Sequence, residues 1–399
     1  MRIYLDHNAG TPIRPEARAA IERCLGEDGA NPASVHRGGQ RARAALESAR
    51  ASVARIIGAA AREIIFTSGG TESNNLAIRG ALGAAGGARR RIVSSAIEHS
   101  SILAPLEYFA GAGYEAVLIA PDRDGRIATN RVIEAINADT ALVTLGLANA
   151  EVGSILDCAP VAVATGNAGA IFHLDAAQAV GRIPVRVAEL GCGLMTISGH
   201  KLGAPAGIGA LYVRDGVVIE ASMLGGPQEL GLRAGTPNLI GAVALGAAAD
   251  AAATRMGEEG ERIERLAHRL LERLSDEIDG LQVNGPDRGG LANTLNLAFP
   301  GVLGENMLIA LDLEGVEVSM GSACAAGSVE PSHVLLAMGI GRENARSSLR
   351  ISLGWSTDSD EIERAAEIIA RVWRRVVSAE RASAAIASPA AATDAGASR

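Results

Sequence analysis

Between residues 63 and 213 the chain alternates short apolar segments with helical ones, and this alternation restricts its fold more than any other feature. The segments Glu63–Thr67, Arg91–Ser95, Glu115–Ile119, Ala141–Leu147, Ala170–Leu174, Leu194–Ser198 and Gly209–Val213 are too short for helices and are mostly apolar. Helical stretches separate most of them. Parallel strands need a long crossover, so this order predicts an α/β fold with a mostly parallel central sheet. Residues 15–255 are expected to form that large domain. After Gly241 the pattern changes. Gly241–Ile278 reads as one long helix and a domain connector. Residues 256–380 contain two or three more strands and a final helix at Asp358–Ser378, which with residues 1–14 predicts a smaller α+β domain. Residues 381–399, rich in Ala and Ser, are expected to be a disordered tail.

Ligands of open α/β sheets sit at the carboxyl ends of the strands. One such end carries Lys201, which is the only lysine beside 36 arginines. Arginine stays protonated, whereas a buried lysine can lose its proton and attack a carbonyl. A single amine in this position points to Schiff-base chemistry, for which pyridoxal phosphate is the usual partner; the competing reading is a lysine left on the surface by chance.

The other properties narrow the class. The net charge is −8, and no basic tract exceeds Arg89-Arg90-Arg91, so the electrostatic footprint of a nucleic-acid binder is missing. The N-terminal residues show no secretory apolar core, and the alanine-rich window Gly241–Ala253 is interrupted by Asp250, so no membrane span is expected. A cytoplasmic protein follows as the expectation. Cys24, Cys158, Cys192 and Cys324 lack metal spacing and read as free thiols.

Six constellations carry chemistry. In Phe66-Thr-Ser-Gly-Gly70-Thr71-Glu-Ser-Asn a strand enters a Gly-Gly turn and opens a helix, which would present N–H groups and the Thr71 hydroxyl to an anion. The alternative is a capping turn with Ser or Thr as N-cap. In Phe172-His-Leu-Asp175-Ala-Ala-Gln178, the Asp175 carboxylate could pair with a cationic ring nitrogen or cap a helix. Ser198-Gly199-His200-Lys201 places phosphate donors beside the amine. His99, after Glu98, could stack on a ring and move protons, although a lone His there is more often structural. Ser319-Met-Gly-Ser-Ala-Cys324-Ala-Ala-Gly-Ser328 puts a thiol among small residues, where an accessible, reactive cysteine is expected. The remaining cysteines read as buried small hydrophobes. Finally, Arg350 in Arg346-Ser-Ser-Leu-Arg350 could clamp a carboxylate or form a surface salt bridge.

Together these motifs resemble the NifS/IscS-type cysteine desulfurases, class V members of the fold-type I pyridoxal-phosphate enzymes. The matching residues run in family order from Tyr4-Leu-Asp through Asn31-Pro-Ala-Ser, the Gly70 turn, Glu98-His99, the Asp175 and Lys201 motifs and Gly225–Thr236 to Gly321-Ser-Ala-Cys324 and Arg350-Ile-Ser-Leu-Gly354. The resemblance implies a role for each. Lys201 holds the cofactor, Asp175 pairs with its ring nitrogen, Gln178 bonds the ring hydroxyl and His99 stacks on the ring. Gly70, Thr71, Ser198, Gly199 and His200 bind the phosphate. Thr236 reaches the phosphate of the other subunit of a homodimer. Arg350 takes the carboxylate of L-cysteine, and Cys324 accepts its sulfur as a persulfide for an iron–sulfur scaffold, on which it would be a transient metal ligand. The Cys324–Ser328 run followed by Glu330-Pro-Ser-His333 is similar to the long-loop, nitrogen-fixation branch. A selenocysteine lyase or an aminotransferase on the same scaffold would need Lys201 and Asp175 but not Cys324, and a non-catalytic partner protein would need none of them.

Two positions depart from the family pattern. Ala150 stands where a second asparagine contacts the ring hydroxyl, with Gln178 or Asn149 as candidates to replace it. Ala9-Gly10-Thr11 replaces Ala-Thr-Thr on the substrate side.

Overall fold

A computed structural model describes residues 2–26, 30–321 and 330–387. Its strands are β1 (Ile3–Tyr4), β2 (Ile64–Thr67), β3 (Arg91–Ser95), β4 (Glu115–Ile119), β5 (Thr140–Gly146), β6 (Ile171–Asp175), β7 (Leu194–Ser198), β8 (Gly209–Val213), β9 (Gln282–Asn284), β10 (Thr294–Ala298), β11 (Val316–Glu317) and β12 (Ser348–Ser352). Seven of them form one sheet in the order β2-β8-β7-β6-β5-β3-β4. Only β8 runs antiparallel to its neighbours. The carboxyl ends of β2, β3, β5, β6 and β7 therefore lie on one edge, as the α/β reading requires. β5, β7 and β8 are buried almost throughout, which is why they read as continuous apolar runs rather than alternating ones.

A second sheet, β12-β10-β9, is antiparallel. β1 pairs in parallel with β11, which brings the N-terminus to residues more than 300 positions away. Leu5, Leu270, Leu274, Phe299, Leu349, Ile351 and Ile362 share the core cluster of this part. The helix Leu239–Glu277 serves both cores. Its alanine-rich half, with Ala242, Leu245, Ala248 and Ala252, is buried in the main sheet's cluster, and its other half places Ala267, Leu270 and Leu274 in the second. The helix is long and apolar enough to cross a membrane by length and composition, but half of its apolar window is packed inside the protein. The expected boundary at residue 255 lies within this unbroken helix.

The last helix, Ser359–Ala387, extends past the expected end at Ser378, so residues 381–387 of the anticipated tail are helical. The alanines there have high helix propensity, and composition alone had read them as tail. Cys158 and Cys192 are buried as expected, and burial pushes their thiols up to about 11 and about 12. Cys24, expected to be buried, is only partly so.

Candidate active site

The edge of the main sheet gathers residues that lie far apart in the sequence. After β2, the helix Gly70–Ala84 begins at Gly69, which has no side chain to cap it. The capping reading of this turn therefore fails: Thr67 Oγ1 lies 2.7 Å from Ser73 Oγ, and the Ser68 N–H donates to Glu72 Oε2 at 2.7 Å. The first-turn N–H groups at Gly70 and Thr71 sit at the positive end of a 15-residue helix. Gly70 is close to β7, because a Cβ there would lie 3.3 Å from Ser198 Cβ. Ser198 Oγ is 3.1 Å from His200 Nδ1, so the two polar groups flank that approach as a pair.

At the end of β6, Asp175 divides its carboxylate. Oδ1 accepts from the Ala177 N–H at 3.0 Å, closing a turn, and Oδ2 accepts from Asn74 Nδ2 at 2.7 Å. The same Asn74 nitrogen donates to Ser101 Oγ at 2.8 Å, while its buried Oδ1 has no partner among the described residues. After β3, His99 caps the helix Ser100–Gly111. Its Nδ1 accepts from the Ser101 N–H at 3.1 Å, which leaves Nε2 without a hydrogen-bond partner among the described residues. Burial holds the imidazole below its ordinary value, against the pull of Asp175, and so favours the neutral ring.

Lys201 is partly buried on the short helix Gly199–Leu202. Its Nζ donates to the carbonyls of Asn8 and of Ala9, the latter at 2.7 Å. Burial first, then the charges of Arg182 and Arg350, lower its pKa to about 7. An amine so placed is available as a nucleophile near neutrality.

Arg350 on β12 was open to a surface reading, but its side chain is only 3% exposed. Nη2 donates to Asp6 Oδ1 at 2.6 Å and Nη1 to the Ala150 carbonyl at 3.4 Å, while buried Nε has no acceptor among the described residues. An unmet guanidinium donor beside Lys201 suits an incoming carboxylate.

The roles of Asn8 and Gly354 were not legible in the sequence. Asn8, which follows the Tyr4-Leu-Asp motif, is a buried hub. Its Nδ2 donates to the Ala150 carbonyl and to Thr294 Oγ1, both at 2.9 Å, and its Oδ1 accepts from Asn293 at 2.9 Å. Gly354 keeps the N-terminal segment close, since a Cβ there would stand 1.9 Å from His7 Nδ1. Asn149, a candidate to replace the asparagine missing at Ala150, has its side chain engaged by backbone groups. Its Oδ1 accepts from the Glu151 and Val152 N–H groups at 2.8 and 3.0 Å, and its Nδ2 donates to the Ile97 carbonyl at 3.1 Å. Gln178 is also engaged, donating to the Asn8 carbonyl at 3.0 Å and accepting from Arg182. Thr236 is exposed. Cys324 lies outside the described residues. The last residues before that stretch are placed, with Ser319 bridged to Arg350 by N–H···O bonds of 3.1 and 2.6 Å.

A helix start free for an anion, a deprotonatable amine, a carboxylate held at a strand end and an unmet guanidinium donor fit pyridoxal phosphate and an amino acid. The chain belongs to the aminotransferase class-V family, whose model matches residues 3–365. Within that family its relatives are the pyridoxal-phosphate-dependent cysteine desulfurases of the IscS/NifS type. It is 40% identical to the cysteine desulfurase IscS of Dictyoglomus turgidum over 93% of this chain and 94% of that protein. It is likewise 40% identical to an IscS-like cysteine desulfurase of Mycobacterium tuberculosis over 95% and 99%. Among solved structures, a NifS-like protein superposes with a TM-score of 0.88 at 30% identity, covering 94% of this chain and all of that one.

Proposed function

We propose that this chain takes L-cysteine to L-alanine and leaves the sulfur as a persulfide on Cys324. The observation that carries the reading is that Lys201 and Arg350 converge on the four residues Asp6–Ala9. The amine rests on the Asn8 and Ala9 carbonyls and the guanidinium on Asp6. An α-amino acid has that shape, a carboxylate one bond from the carbon where amine chemistry occurs.

Pyridoxal phosphate, when bound, supplies an electron sink that acidifies the α-carbon. Gly70, Thr71, Ser198, Gly199 and His200 would hold its phosphate, and Asp175, fixed by Asn74, would face its ring nitrogen. Gln178 would meet the ring hydroxyl after turning from the Asn8 carbonyl. His99, held by its capping bond, keeps Nε2 for proton movement. Arg350 orients the substrate carboxylate through its unmet Nε–H. Lys201 as a neutral amine removes and returns the α-proton. The Cys324 thiolate then attacks the substrate sulfur: the S–S bond forms, the Cβ–S bond breaks, and its electron pair stays on carbon, where protonation yields alanine.

Sulfur supply for iron–sulfur cluster assembly agrees with the names of the relatives. We infer that the acceptor is an iron–sulfur scaffold, with Cys324 as a transient ligand, and that the Cys324–Ser328 run followed by Glu330-Pro-Ser-His333 supports a nitrogen-fixation role. A cytoplasmic homodimer is the matching assembly. Exposed Thr236, with Leu224 at 87% and Leu230 at 71% exposure in the same segment, supports a subunit contact there. The test is an assay of alanine and sulfide from cysteine with the visible spectrum recorded alongside. Cys324→Ala should abolish sulfide release and keep the cofactor band, and Lys201→Ala should abolish both. Sulfide released at the parent rate by Cys324→Ala would sink the persulfide step and favour a lyase or aminotransferase.

A further inference from the structure

Four residues beyond Gln178, Arg182 reaches back into the site. Its Nη1 donates to Gln178 Oε1 and to the Gln178 carbonyl at 3.3 Å, and its Nη2 to the His7 carbonyl at 3.1 Å. All three acceptors are neutral, and among the described residues no carboxylate lies within ion-pairing distance of this guanidinium. Every other arginine of the site region has one, Asp6 for Arg350 and Glu259 for Arg14. A partly buried cation without an anion is costly to keep. Its hydrogen bonds converge on the two groups that flank the amine, since Gln178 and Lys201 share the Asn8 carbonyl as acceptor.

We propose that Arg182 is a positioning residue of the Lys201 site: it fixes Gln178 toward the Asn8 carbonyl and sets an unpaired positive charge against protonation of the neighbouring amine. The proposal rests on the pyridoxal reading of the site but concerns this chain's own groups. The charges facing Lys201 are Arg182 and Arg350, which lower its pKa, and Asp6 and Asp175, which raise it. His99 and His200 are also near, and burial holds both imidazoles below their ordinary value. His7, beside Arg182, is likewise kept neutral by burial, at about 3. Among these, Arg182 alone is a cation with no pairing anion among the described residues. Arg350, by contrast, is committed to Asp6.

The single lysine makes the test specific. Reductive methylation with labelled formaldehyde marks only Lys201 and the N-terminal amine, and NMR resolves the two dimethylamines. The full-length chain, freed of cofactor, is titrated as parent, Arg182→Met, Arg182→Gln and Arg182→Lys; the last carries one further dimethylamine, assigned by its absence from the other three samples. Removing the cation should raise the Lys201 midpoint by about one unit, in both neutral variants, while Arg182→Lys keeps it near the parent value. Thermal melting identifies any variant that does not fold, and having two neutral substitutions keeps the comparison usable. A midpoint unchanged in a folded neutral variant, or raised equally by Arg182→Lys, overturns the proposal. The titration reads the amine without turnover. A shift found in a chain that releases no sulfide from cysteine would therefore leave Arg182 its role and remove the desulfurase reading instead.

Discussion

Arg350 and Asp6 form a buried ion pair across 344 residues of sequence, with Nη2 2.6 Å from Oδ1 and side-chain exposures of 3% and 19%. Removing one partner of such a pair strands the other charge. Asp6→Ala should therefore cost about 3 kcal/mol of stability, measured by urea unfolding, and should weaken cysteine binding because Arg350 loses its fixed orientation. A loss below about 1 kcal/mol, the range of exposed pairs, would show that the pair is not structural.

Glu98 makes stability depend on pH in a defined direction. The carboxyl is buried after β3, accepting from Ser95 Oγ at 2.6 Å, and burial pushes its pKa up to about 7 from an ordinary 4.5. Between about 4.5 and about 7 the folded state keeps a proton that the unfolded chain has released. Glu98 therefore costs stability progressively as pH rises through that window. Buried His173 and partly buried His200, both lowered to about 4, act oppositely between about 4 and 6.5, so the parent alone is not diagnostic. The difference between parent and Glu98→Gln isolates the carboxyl. Glu98→Gln should gain on the order of 2 kcal/mol relative to parent on going from pH 5 to pH 8, and a constant difference would contradict the assignment.

Gly70→Ala tests the anion turn. A Cβ would meet Ser198 Cβ at 3.3 Å and Oγ at 3.5 Å, so the Ser198 side chain, held through its Cβ, must shift by a few tenths of an ångström. Affinity for pyridoxal phosphate should fall about tenfold, or ~1.4 kcal/mol, with little change in melting temperature. Equal loss of both would mean that the turn is a packing feature and not a ligand site.

Leu230 is a strained, exposed position. Its φ is +58°, next to Glu229 at +48°, and these are the only non-glycine residues with positive φ among those described. Glu229 is held there by a buried pair with Arg50 at 2.6 Å and by the Phe66 N–H at 2.8 Å. Leu230 has no such anchor. Leu230→Gly should therefore stabilise the isolated chain by about 0.5–1 kcal/mol. Gel filtration of the same variant reads whether the exposed leucine serves subunit contact, in which case dimerisation weakens as the subunit gains stability.

Much of the scaffold was legible because its signals are local. β3, β4, β7 and β8 fall where the apolar runs place them, since each is fully specified by a few consecutive side chains. The starts of helices were less legible. Arg37–Ile57 opens on Arg-Gly-Gly, a poor helix start by composition, because the His36 side chain caps it by accepting from the Gly39 N–H. In the site, Lys201, Asp175 and His99 announced themselves by chemistry and position. Asn8 did not, because its importance lies in whom it meets: Ala150, Thr294 and Asn293 are far away in sequence. Arg182 carried one signal, its place four residues after Gln178.

The sequence by itself determined an α/β chain with one amine capable of carbonyl chemistry, placed at a strand end among glycines and phosphate donors. Side-chain chemistry and strand periodicity are properties of short segments. Only the tertiary structure decided the state of that amine. The contact of Lys201 with Asn8 spans 193 residues, and its lowered pKa follows from burial and from Arg182 and Arg350, which different elements bring to it. Desolvation and Coulomb interaction depend on distance in space, which the order of residues does not contain until the sheet and the N-terminal segment close around Lys201.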